Sequence, residues 1–201
     1  MIYASYGHLF LLTVRKTRVM LFTMKMIHKK LTAFLLCIAL IMLQTLTVSA
    51  EAERKKIFKI PQYNGFKSYE RGILEDGKTI FHEGTRQFEL QKRAKTRKGF
   101  RTVRGRYLVA LGSRFTKNIG QYVTLILENG YKIPCIVGDQ KADRDTDDSH
   151  TFTENECCSE FIVDMRTLNQ DIKEKGDVSG FRKAWDSPVS AIIVYEKNVF
   201  D

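Results

Sequence analysis

The sequence is poor in the residues that break or staple a chain. Three prolines in 201 residues exclude a Pro-rich linker or polyproline rod. Thirteen glycines without a Gly-X-Y period exclude a collagen-like fibre. Four cysteines, with no CxxC pair and no Cys/His spacing, exclude a zinc module and a dense disulfide scaffold. There is no internal repeat and no sustained heptad, so neither a solenoid nor a long coiled coil is expected. A phosphate-binding Gly-rich loop, GxSxG and HExxH are all missing. Most local of all, residues 1–50 contain no acidic residue.

That last absence organises the chain. Residues 1–50 carry six basic side chains, Arg15, Lys16, Arg18, Lys25, Lys29 and Lys30, which supply +6 of the net charge of +10. Lys25 to Lys30 precede an apolar run from Leu31 to Leu46, and Val48-Ser49-Ala50 follows with small residues where a signal peptidase reads. This is the pattern of a secretory signal peptide. The same run is long enough to serve as an uncleaved membrane anchor instead. Either way the positive flank stays inside and the rest of the chain is exported, secreted or attached to the cell wall. Residues 1–23 are unusual ahead of such a signal, which makes Met24 or Met26 an alternative start.

The exported part, 51–201, is almost balanced, with 27 basic and 23 acidic side chains, so the pI of 9.5 is no argument for nucleic-acid binding. The charge is instead polarised along the chain: 51–127 sums to +11 and 128–201 to −7. The positive half centres on KRAKTRKGFRTVRGR, residues 92–106, with eight basic residues and no acid. For an exported protein this run fits an anionic envelope polymer; Phe100 and Tyr107 beside it would suit stacking on bases, but no nucleic-acid partner is expected. The bland alternative is a solvated strand face, partly neutralised by the acidic loop.

Residues 51–87 are weakly patterned and read as an N-terminal extension, either a spacer or a strand that completes the fold. Beyond them the strand signals are clear. Tyr107–Leu111 is apolar, Gln121–Glu128 alternates, Asn129-Gly130 marks a tight hairpin, and Tyr131–Val137 returns, with Pro134 suggesting an edge or bulge. An acidic loop spans Asp139 to Glu156. Glu160–Val163 and Val189–Tyr195 are further strands, and Met165–Lys175 is a short helix ended by Gly176. Short strands with one or two short helices predict a mainly β fold, a small barrel or sandwich.

Three cysteines remain after the apolar run. Cys135 with Cys157 or Cys158 is the plausible bonded pair, because adjacent cysteines rarely bond each other; three reduced thiols is the alternative.

Asp139 and Asp164 each end an apolar strand, Ile136-Val137-Gly138 and Phe161-Ile162-Val163. Two carboxylates delivered by strand ends form a possible acid/base pair; equally, each Asp suits a turn or a helix cap. Asp143, Asp145, Asp147 and Glu154 fall at positions 1, 3, 5 and 12 of a calcium loop, but position 6 is Asp148 rather than Gly and the flanks read as strands, which leaves a looser calcium site or a solvated acidic loop. His150 lies in the same loop, as a candidate base or ligand or an exposed histidine. Trp185 with Phe181 offers a sugar-stacking surface or, more commonly for a lone Trp, core.

The stretch RYLVALGSRFTKNIGQYVTLILENGYKIPCIVGD, then EFIVDM, GDVSG and VSAIIVY, resembles the double-psi β-barrel family that includes the three-aspartate (3D) domain, RlpA-like domains and MltA-type lytic transglycosylases. Tyr107–Ser113 matches the first strand, Ile119-Gly120 the "LG" turn, Gly138-Asp139 the loop aspartate and Val163-Asp164 the "ID" pair. The resemblance implies a six-stranded double-psi barrel over residues 88–201 and a protein of the bacterial cell wall that acts on peptidoglycan. It further implies Asp164 as the acid/base and Asp139 as a supporting carboxylate. The 3D loop signature is absent, and the interval from Asp139 to Asp164 is much longer than the usual one. That departure keeps open a non-catalytic, wall-binding module or a calcium-stabilised structural domain.

Overall fold

The computed structural model describes residues 28, 31–32, 34–36, 55–61 and 65–201. Two units are distinguished, Met1–Ala52 and Glu53–Asp201. In the first, the described residues are helical, with Leu31, Phe34, Leu35 and Leu36 exposed. No helix among the described residues is long and apolar enough to cross a membrane. Most of the expected signal or anchor, including Val48-Ser49-Ala50, lies outside the described residues.

The second unit is mainly β, as expected. Its strands are β1 (Lys55–Lys59), β2 (Ser68–Ile73), β3 (Lys95–Arg97), β4 (Phe100–Val103), β5 (Arg106–Leu111), β6 (Gln121–Leu127), β7 (Lys132–Gln140), β8 (Ser159–Asp164) and β9 (Val189–Asn198). They form one mixed sheet in the order β1-β9-β6-β7-β5-β4-β8-β2; β3 hangs on β4, and β5 also pairs with β8. The pairs β5–β7 and β2–β8 are parallel and the others antiparallel. The six-stranded closed barrel is thus replaced by nine strands in a sheet whose ends, β1 and β2, do not pair with each other.

Both end strands come from the weakly patterned 51–87. In β1, Phe58 packs edge-on against Phe115 with ring centres 5.4 Å apart. The hairpin at Asn129-Gly130 forms as expected, closed by Leu127 N–H to Tyr131 O at 2.9 Å. Pro134 is not on an edge strand, since β7 pairs on both sides. It lies opposite Thr124 of β6 just before the β5 pairing begins at Cys135, where a missing N–H costs no ladder bond to β5.

Helix α1 (Arg86–Arg93) takes the start of the basic run; Thr85 caps it by accepting from Phe88 N–H at 3.2 Å. Helix α2 is shorter than expected, Gln170–Lys175, because Asn169 caps it by accepting from Asp171 N–H at 2.7 Å; it ends at Gly176 as the sequence indicated.

The central strands are buried on both faces: Leu108, Val109, Leu111, Val123, Leu125, Ile133, Ile136, Phe161 and Ile162 are all fully buried. Phe100, Tyr107, Phe161, Phe181 and Trp185 form an aromatic cluster with ring centres 4.5–5.9 Å apart. Trp185 is 1% exposed, so it is core and not a sugar-stacking surface. Beneath it, the fully buried Lys67 donates from Nζ to the carbonyls of Gly65, Trp185 and Ser187, each at 2.8 Å. This ties the segment entering β2 to the loop before β9.

Candidate functional site

One β-bulge sets the site, and a second interrupts the strand just beyond it. On β7, Val137 pairs with Val109 but Asp139 pairs with the next residue, Ala110, so Gly138 is skipped. One extra residue turns Asp139 to the opposite face from Val137. Gly138 is required there by close approach: a Cβ would meet Ile162 Cδ1 at 2.5 Å and Leu108 Cβ at 3.1 Å. On β2, a second bulge follows Glu70, which pairs with Ile162 while Ile73 pairs with Asp164.

The register then assembles a row. Ala110 of β5 pairs with Asp139 on one side and Glu160 of β8 on the other, and Glu160 pairs with Ser68 of β2, two residues from Glu70. Asp139, Glu160 and Glu70 therefore share one face. Lys141 Nζ pairs with Glu160, with the two side chains 17% and 11% exposed. Gln87, from the first turn of α1, donates Nε2–H to Asp139 Oδ1 at 3.1 Å.

Burial and the adjacent Asp139 push Glu70 from an ordinary carboxyl up to about 7, with Lys141 opposing. Glu70 and Asp139 share a hydrogen bond when one of them holds a proton. Glu70 Oε2 is buried with no hydrogen-bond partner among the described residues, so nothing donates to it to favour the ionised form. A half-buried carboxylic acid, protonated near neutrality beside a second carboxyl, is equipped to donate a proton and take it back.

Asp164 has the opposite environment. Its side chain is 1% exposed and fully engaged: Arg166 grips it with Nε–H to Oδ1 at 2.9 Å and Nη2–H to Oδ2 at 2.7 Å, and Thr96 Oγ1 donates to Oδ2 at 3.0 Å. The Arg166 hydrogen bonds hold it below the usual carboxylate range. Arg101 extends the network, donating to Thr96 Oγ1 and to the carbonyls of Gln91 and Ala94. Asp164 is four residues from Glu160, about 13 Å of strand, so the structure does not bring Asp164 and Asp139 together. The neighbour of Asp139 is Glu70, in a stretch where the sequence showed only weak pattern; its one signal was an acid inside a strand-like run, and that is unreadable without the pairing partner.

The four candidate calcium ligands are dispersed. Asp147 is a turn-former, accepting from Thr151 N–H at 2.7 Å, Phe152 N–H at 2.9 Å and Ser149 Oγ at 2.6 Å. Asp143 accepts from Ser113 Oγ and lies 3.7 Å from His150 Nδ1, and Asp145 faces Arg144. Asp145, Asp147 and Glu154 line an open cleft of about 580 Å³ with Pro61, Phe152 and Glu156. Among the described residues no three His, Cys, Asp or Glu side chains converge as a metal would need. The loop is pinned to the sheet at Gly112, where a Cβ would meet His150 O at 2.0 Å.

Cys135, Cys157 and Cys158 are all free and buried, so the expected pairing is not formed. Cys135 is on β7 and both others precede β8, with no strand pairing between β7 and β8 to bring them together. Burial pushes the thiols of Cys135 and Cys157 up, so both stay protonated and unreactive.

A cavity of about 710 Å³ lies elsewhere, between α2 and the loop before β9, lined by Asn169, Asp171, Lys175, Asp177 and Phe181 among others. The chain matches no protein-family model, and no curated protein and no solved structure gives a significant match.

Proposed function

We propose that this is an exported, cell-wall-associated protein that cleaves the glycan strand of peptidoglycan without hydrolysis, on a variant of the double-psi β-barrel, with Glu70 as its acid/base and Asp139 beside it. The observation that carries this reading is the Glu70–Asp139 carboxyl pair, with Glu70 pushed up to about 7. Two parallel strand pairs crossing an otherwise antiparallel sheet support the variant barrel. The role that the family resemblance implied for Asp164 passes to Glu70, because Asp164 has no free oxygen and a lowered pKa.

In this reading protonated Glu70 gives its proton to the glycosidic oxygen as the bond to the ring carbon breaks. The Asp139 carboxylate faces the positive charge that develops on the ring. Glu70, now ionised, takes the proton of the sugar's own primary hydroxyl, whose oxygen closes onto that carbon. The leaving sugar keeps the first proton and Glu70 regains one, so the acid is restored.

The test is digestion of purified sacculi by the full chain, with soluble products identified by mass spectrometry. Anhydro-muropeptides are expected from the wild type and none from Glu70→Gln. The rate should fall as pH rises through about 7, because the protonated fraction of Glu70 falls there. Undiminished product from Glu70→Gln sinks the assignment. Co-sedimentation with sacculi and no product from any variant supports the second reading, a non-catalytic binding module, which the missing 3D loop signature favours.

A further inference from the structure

Arg93 at the end of α1, Lys95 and Arg97 of β3, Thr102 of β4, and Arg104 and Gly105 of the β4–β5 turn line a pocket of about 190 Å³. Its charges are of one sign. Among the described residues no carboxylate lies within 4.0 Å of any of these four cations. Thr96, between Lys95 and Arg97, turns inward to Asp164, so alternation along β3 puts Lys95 and Arg97 on the opposite, outer side.

The two flanking guanidinium groups are held by neutral partners. Arg93 sits 4.7 Å from the centre of the Phe200 ring and donates to Val199 O at 3.4 Å. Arg104 donates to Tyr122 Oη at 2.9 Å. Arg106 and Lys197 lie over the Tyr122 ring at 5.0 and 5.5 Å, and Arg86 lies 5.4 Å from the Phe200 ring, so the cations continue on both flanks of the pocket. Aromatic rings and carbonyls fix these side chains without cancelling their charge. Converging like charges repel unless a counter-charge enters, and fixing them beforehand lowers the entropy cost of binding one.

We propose that this pocket binds the phosphate or sulfate groups of a linear polyanion. Its volume equals roughly six waters' share of liquid, room for one tetrahedral oxyanion with its residual waters. Arginine forks suit such a group. A membrane surface is a poorer occupant: the exposed large hydrophobic residues of this unit are Ile57, Ile80 and Tyr131, and none lies within 86–106 to insert into lipid. A nucleic acid is poorer too, because Phe100 is fully buried and Tyr107 is engaged in the aromatic cluster, so neither aromatic residue of the basic run is free to stack on bases. The pocket shares no residue with the carboxyl pair, so it stands or falls independently of the glycan-cleavage reading.

The experiment is calorimetric titration of the full chain with inorganic pyrophosphate and with polyphosphate, at low and raised salt. Polyphosphate should bind more tightly, and its affinity should fall as salt rises. Arg97→Ala and Arg104→Ala, both at exposed positions, should each weaken it about tenfold, while Arg114→Ala, exposed but outside the pocket, should not. Hydrogen exchange should slow across residues 93–105 on binding. Equal affinity in all three variants overturns the pocket. Preference for phosphatidylglycerol vesicles, or for single-stranded DNA over polyphosphate of equal charge, overturns the polymer assignment.

Discussion

Three buried or half-buried ionic residues divide the work of this molecule, and their surroundings rather than their type decide how. Glu70 has no cation bonded to it and a carboxyl for a neighbour, so it is driven toward the neutral acid. Asp164 has a bidentate arginine and a threonine hydroxyl, so it is driven toward the anion. Lys67 donates to three carbonyls and acts as a clamp. Asp164→Asn should therefore cost about 2–3 kcal/mol of stability at neutral pH through the lost charge-assisted bonds. The sign with pH follows from the lowered pKa: the stabilisation is present above the ordinary carboxylate range and is lost as pH falls through the depressed value. Urea midpoints of the wild type and Asp164→Asn should differ at pH 7 and converge in strong acid; a constant gap would remove Asp164 from the ionised network.

At the scale of elements, the strands serve as a register device and the bulges as its adjustment. Were Gly138 paired regularly with Ala110, Asp139 would fall opposite Leu111 and face the same side as Val137, away from Glu70. Gly138→Ala should cost about 1–3 kcal/mol by overpacking against Leu108 and Ile162 and should displace Asp139. The readout is the Glu70 carboxyl resonance in a carbon-detected pH titration, whose midpoint should drop from about 7 toward that of an ordinary glutamate. A midpoint that stays near 7 would show that the bulge does not set the pair. The hairpin at Asn129-Gly130 was legible because its signal is local to two residues. Helix α1 was not, because its eight residues overlap a run of cations that reads equally well as a strand face.

For the whole molecule, the sheet has to hide three thiols without cross-links. Cys135, Cys157 and Cys158 are 0%, 1% and 2% exposed. None of the three should react with Ellman's reagent in the native protein, and four thiols per chain, Cys37 included, should titrate in urea. Only two would titrate if Cys135 were bonded to either neighbour, and alkylation followed by peptide mass spectrometry would identify them. The polarised charge also resolves at this scale. Lys141 does pair with Glu160, but among the described residues the basic run from Lys92 to Arg106 forms no ion pair with the acidic loop; four of its eight cations line one pocket of their own.

The sequence by itself determined what depends on neighbours along the chain: the β class, the strands around Leu108, Val123, Phe161 and Ile192, the Asn-Gly turn, the helix end at Gly176 and the buried Trp185. Alternation, turn chemistry and side-chain volume act over a few residues, so they are readable in order. It also singled out Asp139. What only the tertiary structure decided is which acid stands beside it. Glu70 reaches Asp139 through a parallel β2–β8 pairing and the bulge at Gly138, and neither leaves a local mark. Asp164 lies at the far end of β8 from Glu160, where an arginine two residues on holds it as an anion.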